Sequence, residues 1–163
     1  MHTAGQTRSK AVPRGRAKPA DPAEALKPLE GMWYGAGAVY PSAYGPGREW
    51  RSHEHTEWLW GKRFLLHHWR AHLDDAPFEG LTVYGQDEHG GYFAQQYDNQ
   101  GTAVRYQVDI AAGHWRLKGE AQRAEYAFAP DGRTIDITWE WRDGRSWKPL
   151  CERRATRAQN GGF

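Results

Sequence analysis

From Met32 onward the chain is a long series of short β-rich runs cut by turn signals, and no helical period survives after Glu30. The breaks fall at Gly45-Pro46-Gly47, Gly61-Lys62, Asp74-Asp75-Ala76-Pro77, Glu88-His89-Gly90-Gly91 and Asp98-Asn99-Gln100-Gly101. They continue at Ala112-Gly113, Gly119-Glu120-Ala121, Pro130-Asp131-Gly132 and Asp143-Gly144. Ten strands are expected between them, over 33–40, 48–60, 63–72, 79–87, 92–98, 102–110, 114–119, 124–129, 134–141 and 147–156. Turns of hairpin length make each strand antiparallel to the next. Ten meandering strands without covering helices leave two edges to hide, so closure into an all-β, up-and-down antiparallel barrel is the expected solution.

Register tests that expectation, because directly opposed residues in a hairpin share a face. Centring a turn on Asn99-Gln100 sets Phe93, Gln95 and Tyr97 against Tyr106, Val104 and Thr102. Centring the next on Ala112-Gly113 sets Tyr106, Val108 and Ile110 against Gly119, Leu117 and Trp115. A wide turn at Pro130-Asp131-Gly132 matches Tyr126 and Phe128 with Ile137 and Ile135, and extends to Trp139 and Trp141. The opposite face collects Arg105, Gln107, Asp109, Arg116, Lys118, Asp136, Thr138 and Glu140. Three hairpins agree on which side is apolar.

The ends read differently. Asp21-Pro22 supplies a helix N-cap with proline at the first helical position, and Ala23 to Lys27 fit a short helix that Pro28 interrupts. Residues 1–20 carry five cations (Arg8, Lys10, Arg14, Arg16, Lys18) and no acid, so the remaining chain sums to −3 within a net charge of +2. The expected organisation is a disordered basic leader over 1–21, a barrel domain over 22–157 and a flexible tail over 158–163. The slightly acidic body shows no basic stripe, so no specific nucleic-acid partner is expected. No run approaches the roughly 20 apolar residues of a spanning helix, and the N-terminus has no apolar signal region, so no membrane partner is expected either. A lone cysteine, Cys151, excludes an intrachain disulfide framework and fits a reducing cytoplasm.

The segment Gly31-Met32-Trp33-Tyr34-Gly35-Ala36-Gly37 after a short helix resembles the first strand of a calycin-type barrel, the group of lipocalins, fatty-acid-binding proteins and nitrobindins. The longer Gly-x-Trp-x-Gly-x-Gly form is shared with nitrobindin-like proteins. The chain looks closer still to a bacterial family of barrels of about this size, which has no established activity. That resemblance runs through Trp60-Gly61-Lys62-Arg63-Phe64-Leu65, Phe78-Glu79-Gly80, Gln95-Gln96-Tyr97-Asp98-Asn99-Gln100-Gly101 and Trp147-Lys148-Pro149, covering roughly residues 26–157. It implies a calycin-like barrel and a ligand cavity. In lipocalins an arginine of the last strand covers the motif's tryptophan, which implies Arg153 or Arg154 over Trp33 as a cation–π pair. Nitrobindins take their haem ligand from a histidine near the end of the barrel. The corresponding strand here has none, so no cofactor is expected.

The densest polar constellation is the second hairpin, with His53, Glu54, His55, Glu57, His67, His68 and His72. Centring its turn on Gly61-Lys62 puts Trp58, Thr56 and Glu54 opposite Leu65, His67 and Trp69, with Trp50 and Trp60 on the same inward face. A one-residue bulge at Gly61 would bring His68 inside in place of His67. His53-x-His55 with His68 opposite has three imidazoles on one face, yet the spacing departs from known barrel metal motifs and no metal site is expected. Burial is expected to raise the pKa of Glu54. No nucleophile elbow, phosphate loop or dinucleotide fingerprint appears.

The expected function is binding of a small, largely apolar molecule, aromatic or polyene-like. Trp58, Trp69, Tyr97, Tyr106 and Trp139 would line the cavity, and Glu54, Thr56, His67 and Gln95 would orient polar groups. The alternative is a cofactor-free isomerase or cyclase using Glu54 with His67 or His68 as an acid–base pair. A third reading has nine tryptophans, eight tyrosines and five phenylalanines filling the barrel completely.

Overall fold

The computed structural model describes residues 21–74 and 76–159. A short α-helix, α1 (Pro22–Ala25), and a 3-10 turn (Lys27–Leu29) precede ten strands. The strands are β1 (Gly31–Val39), β2 (Arg48–Trp58), β3 (Leu65–Leu73), β4 (Ala76–Gln86), β5 (Tyr92–Asp98), β6 (Ala103–Ala111), β7 (His114–Lys118), β8 (Gln122–Phe128), β9 (Thr134–Asp143) and β10 (Ser146–Arg157). Each strand pairs antiparallel with the next, and β10 returns to β1, closing the barrel. Residues 1–20 of the expected leader and 160–163 of the expected tail lie outside the described residues, and Asp21, counted with the leader, is the N-cap of α1.

Three hairpins carry the register expected from sequence: Thr56 opposes His67, Val108 opposes Leu117, and Tyr126 opposes Ile137. The β5–β6 hairpin does not. Its Asp98 amide donates to the Thr102 carbonyl at 3.2 Å and leaves three residues in the loop, with Gly101 at a φ of 85°. That left-handed glycine adds one residue beyond a loop centred on Asn99-Gln100. Every β5 side chain therefore changes face, so Ala94 and Gln96 oppose Tyr106 and Val104. Gln95 and Tyr97 point outward. The β3–β4 turn is also tighter than expected, for Leu73 already pairs with Ala76.

One end of the barrel is sealed and filled. Asp21 caps α1 by accepting from the Ala23 amide at 3.1 Å, and the short helix drives Leu26 and Leu29 to full burial. The Leu29 carbonyl accepts from the Trp33 indole at 2.9 Å. Arg157, rather than Arg153 or Arg154, covers that indole, its guanidinium 4.2 Å from the ring centroid. The same guanidinium donates to the carbonyls of Pro28, Glu30 and Gly132, tying both chain ends of the barrel together. Counting along β10 in the sequence stopped three or four residues short, because β10 runs twelve residues and reaches the sealed end only at its last one. Inside, Leu65, Tyr84, Trp115, Leu117, Tyr126, Ile135 and Ile137 form one continuous core. Trp60 leaves the expected inward face, since β2 ends at Trp58 and the side chain beyond it is fully exposed.

Candidate functional site

Above the filled half the barrel opens into a cavity of about 230 Å³. Its walls include Trp50, Trp69, Tyr106, Tyr126 and Trp139, with His67, Thr82, Cys151 and Arg153 on the polar side. Strand alternation explains how they meet: Trp50, Ser52, Glu54 and Thr56 on β2 and His67 and Trp69 on β3 all point inward. Trp69 gains its place because Gly80 on the neighbouring strand has no side chain; a β-carbon there would sit 2.3 Å from the indole. The indole then donates to the Thr82 hydroxyl at 3.3 Å.

The polar floor is a buried charge network. Glu54 Oε1 accepts from the Ser52 hydroxyl at 2.7 Å and from the Arg153 guanidinium, while His67 Nε2 lies 2.7 Å from Glu54 Oε2. The side chains of Glu54, His67 and Arg153 are only 2%, 3% and 7% exposed. Burial opposes the charge on Glu54, as expected from sequence, yet Arg153, His67 and Ser52 together outweigh it and hold the carboxyl well below the usual range. The expected rise is thus reversed. The opening motif builds the room for this network. A β-carbon on Gly35 would sit 2.2 Å from the Ser52 hydroxyl, and one on Gly37 would meet the Glu152 carbonyl at 2.0 Å.

Of the residues expected to form the site, His67, Trp69, Tyr106 and Trp139 line the cavity. Glu54 lies in its floor behind His67 and Arg153. Thr56 is buried opposite His67 but does not line the cavity, and its hydroxyl has no partner. Trp58 packs against the filled core. Gln95 and Tyr97 are outside for the loop reason given above, and Gln96 takes the inward place. The loop Trp60–Arg63 inserts no odd residue, so the bulge that would bring His68 inside is absent; His68 opposes His55 on the outer face. On that face His53 stacks edge-on against Tyr34 and His72. Among the described residues no group of three or more His, Cys, Asp or Glu is placed to hold a metal ion.

Arg153, Ser52, Trp50 and Tyr126 were not assigned to the site from sequence. Alternation along β2 already put Ser52 beside Glu54. Arg153 was legible only as a cation on the last strand, because its partner lies ninety-nine positions away. The haem ligand that the nitrobindin resemblance implies is not on β10, which has no histidine, and the cavity-lining Cys151 of that strand is a thiol pushed up to about 11 by burial, the opposite of a thiolate ligand.

No protein-family model matches the chain, and no curated protein matches it. Among solved structures, the crystal structure of Rv2717c from M. tuberculosis is similar, with a TM-score of 0.67 and 16% identity, covering 87% of this chain and 100% of that one. The likeness is one of fold. Among the described residues no helix is long and apolar enough to cross a membrane.

Proposed function

We propose that the protein binds a small, largely apolar molecule inside the barrel, as the calycin-type resemblance of its opening strand implies. The observation that carries this reading is the cavity: aromatic walls on one side, and a few fixed polar groups on the other, are the usual make-up of a small-molecule site. Its size narrows the ligand. An apolar cavity of about 150 Å³ holds benzene, so 230 Å³ suits a one- or two-ring molecule better than a long polyene. Native mass spectrometry of freshly purified protein, with an absorption spectrum of the same sample, tests it. A non-covalent organic adduct released on denaturation is the expected result. A bare polypeptide that also takes up no apolar probe would sink the reading.

A second reading, acid–base isomerisation or cyclisation of such a molecule, draws on the Glu54–His67 contact, since a carboxylate that orients an imidazole is a common way to position a base. Glu54 itself is tied up by Arg153 and Ser52, and His68 is outside, so His67 would carry the proton. Glu54→Gln would then abolish turnover while leaving substrate binding within a few-fold.

A further inference from the structure

We propose that the molecule held in the cavity carries a neutral carbonyl group on its ring system, and that this oxygen accepts a hydrogen bond from the Arg153 guanidinium. The proposal rests on the binding role above and names the class of molecule.

Arginine has five N–H donors, no acceptor, and a charge it does not lose. Arg153 lines the cavity, while its neighbours Glu152 and Arg154 face outward. Only its Nη1 has a hydrogen-bond partner, the Glu54 carboxylate. Among the described residues, the fully buried side-chain nitrogens and oxygens without a partner belong to Arg48, Trp50, Thr56, His67 and Trp141. Nε and Nη2 of Arg153 are not in that group although nothing bonds them, so both keep accessible surface. An inward side chain of a closed barrel presents that surface to the cavity it lines. The guanidinium is also held in place: Glu54 takes one nitrogen, and the Trp50 ring centroid lies 5.2 Å from its carbon. Trp50 and Arg153 flank Gly37 in the ladder.

A charged donor that loses water without gaining an acceptor costs more than a neutral one. A purely hydrocarbon occupant over Arg153 would carry that cost, and one with an oxygen at that point would not. Thr82, Gln96 and Gln122 bring further donors to the walls, but these are neutral and cheaper to leave unpaired. Glu54 already supplies the counter-charge of Arg153. A ligand carboxylate would therefore enter the aromatic enclosure with only a protonated His67 left to match it, whereas a carbonyl needs no such match. A flat ring ketone meets both demands, packing on Trp69, Tyr106 and Trp139 and accepting at one point.

Tryptophan fluorescence titrations of the full chain with 2-acetylnaphthalene, 2-isopropenylnaphthalene and 2-naphthoate separate these cases. The first two share one shape and differ only in C=O against C=CH2. We expect the ketone to bind at least about tenfold more tightly than its isopropenyl analogue, as one hydrogen bond to a charged group warrants, and more tightly than the carboxylate. The infrared band of a carbon-13-labelled ketone carbonyl gives a readout that needs no variant, and should lie lower in the complex than in an apolar solvent. Arg153→Lys keeps a cation for Glu54 without the open guanidinium donors, so ketone and isopropenyl analogue should bind it alike, with thermal melts confirming the fold. Equal affinity for those two in the unmodified protein, an unshifted carbonyl band, or a preference that survives Arg153→Lys would overturn the carbonyl proposal while leaving the binding role intact. Tighter binding of 2-naphthoate would overturn it in favour of an anionic ligand. Uptake of none of the three would overturn the binding role and this proposal together.

Discussion

The two halves of the barrel are built from the same residue types and end up as opposites. At the sealed end Trp33, Trp115 and Tyr84 are each within 1% of complete burial and pack with Leu26 and Leu29 from the N-terminal helical turns. At the other end Trp50, Trp69, Tyr106 and Trp139 line a cavity of about 230 Å³. Aromatic content alone does not decide whether a barrel is filled. The sealed half has a helical plug and a strapping arginine, Arg157, that close it against water. The open half instead invests its inward positions in a charge network whose groups must keep fixed geometry, and a fixed network cannot collapse to fill space.

Breaking either half should therefore look different. The largest effect is expected at the boundary, where Arg153→Met would strand the Glu54 charge; loss of one partner of a buried pair costs about 3–5 kcal/mol, read by chemical denaturation. The double variant Glu54→Leu/Arg153→Met should recover most of that loss, since no charge is left unpaired. Trp115→Ala should cost about 3–5 kcal/mol by leaving a void in the filled half, with probe binding in the open half unchanged.

Acid sharpens the contrast. The folded carboxyl of Glu54 lies far below its unfolded value of about 4.3, so its contribution is complete above that pH and is lost as pH falls toward the folded value. Stability of the unmodified protein should decline steadily below about pH 4, and Glu54→Gln should lack that component. Arg157→Ala should cost about 1–2 kcal/mol through its cation–π contact and carbonyl bonds, again without touching the cavity. Trp60→Ala, at the exposed tip of the β2–β3 loop, should stay within about 0.5 kcal/mol. A larger change there would mean that this tryptophan has a partner.

The barrel was legible in the sequence because alternation and turn chemistry are local. The three hairpins whose loops keep an even count, or whose turn residues were read at full width, came out in register. The β5–β6 hairpin failed on one glycine: a turn centred on Asn99-Gln100 pairs Gly101 with Asp98, whereas the left-handed Gly101 is a third loop residue, and the difference moved Gln95 and Tyr97 out and Gln96 in. Glu54 and His67 were legible as a pair because they share one hairpin. Arg153 was not, since its meeting with Glu54 depends on barrel closure between β10 and β1, and the reversal of the Glu54 titration follows from that one contact. Gly35 and Gly37 were visible as permission for a close approach; what approaches is the Ser52–Glu54–Arg153 network and the backbone of β10.

The central claim is that the open half is a ligand cavity and the sealed half is not. Titrating naphthalene against the unmodified protein, Cys151→Phe and Trp115→Ala tests it most directly, with thermal melts confirming that each variant is folded. Cys151 lines the cavity, so the larger ring should fill it. Saturable one-to-one uptake that Cys151→Phe abolishes and Trp115→Ala preserves is the expected result. Uptake that survives Cys151→Phe, or that disappears only with Trp115→Ala, would place the binding elsewhere and contradict this assignment of the two halves.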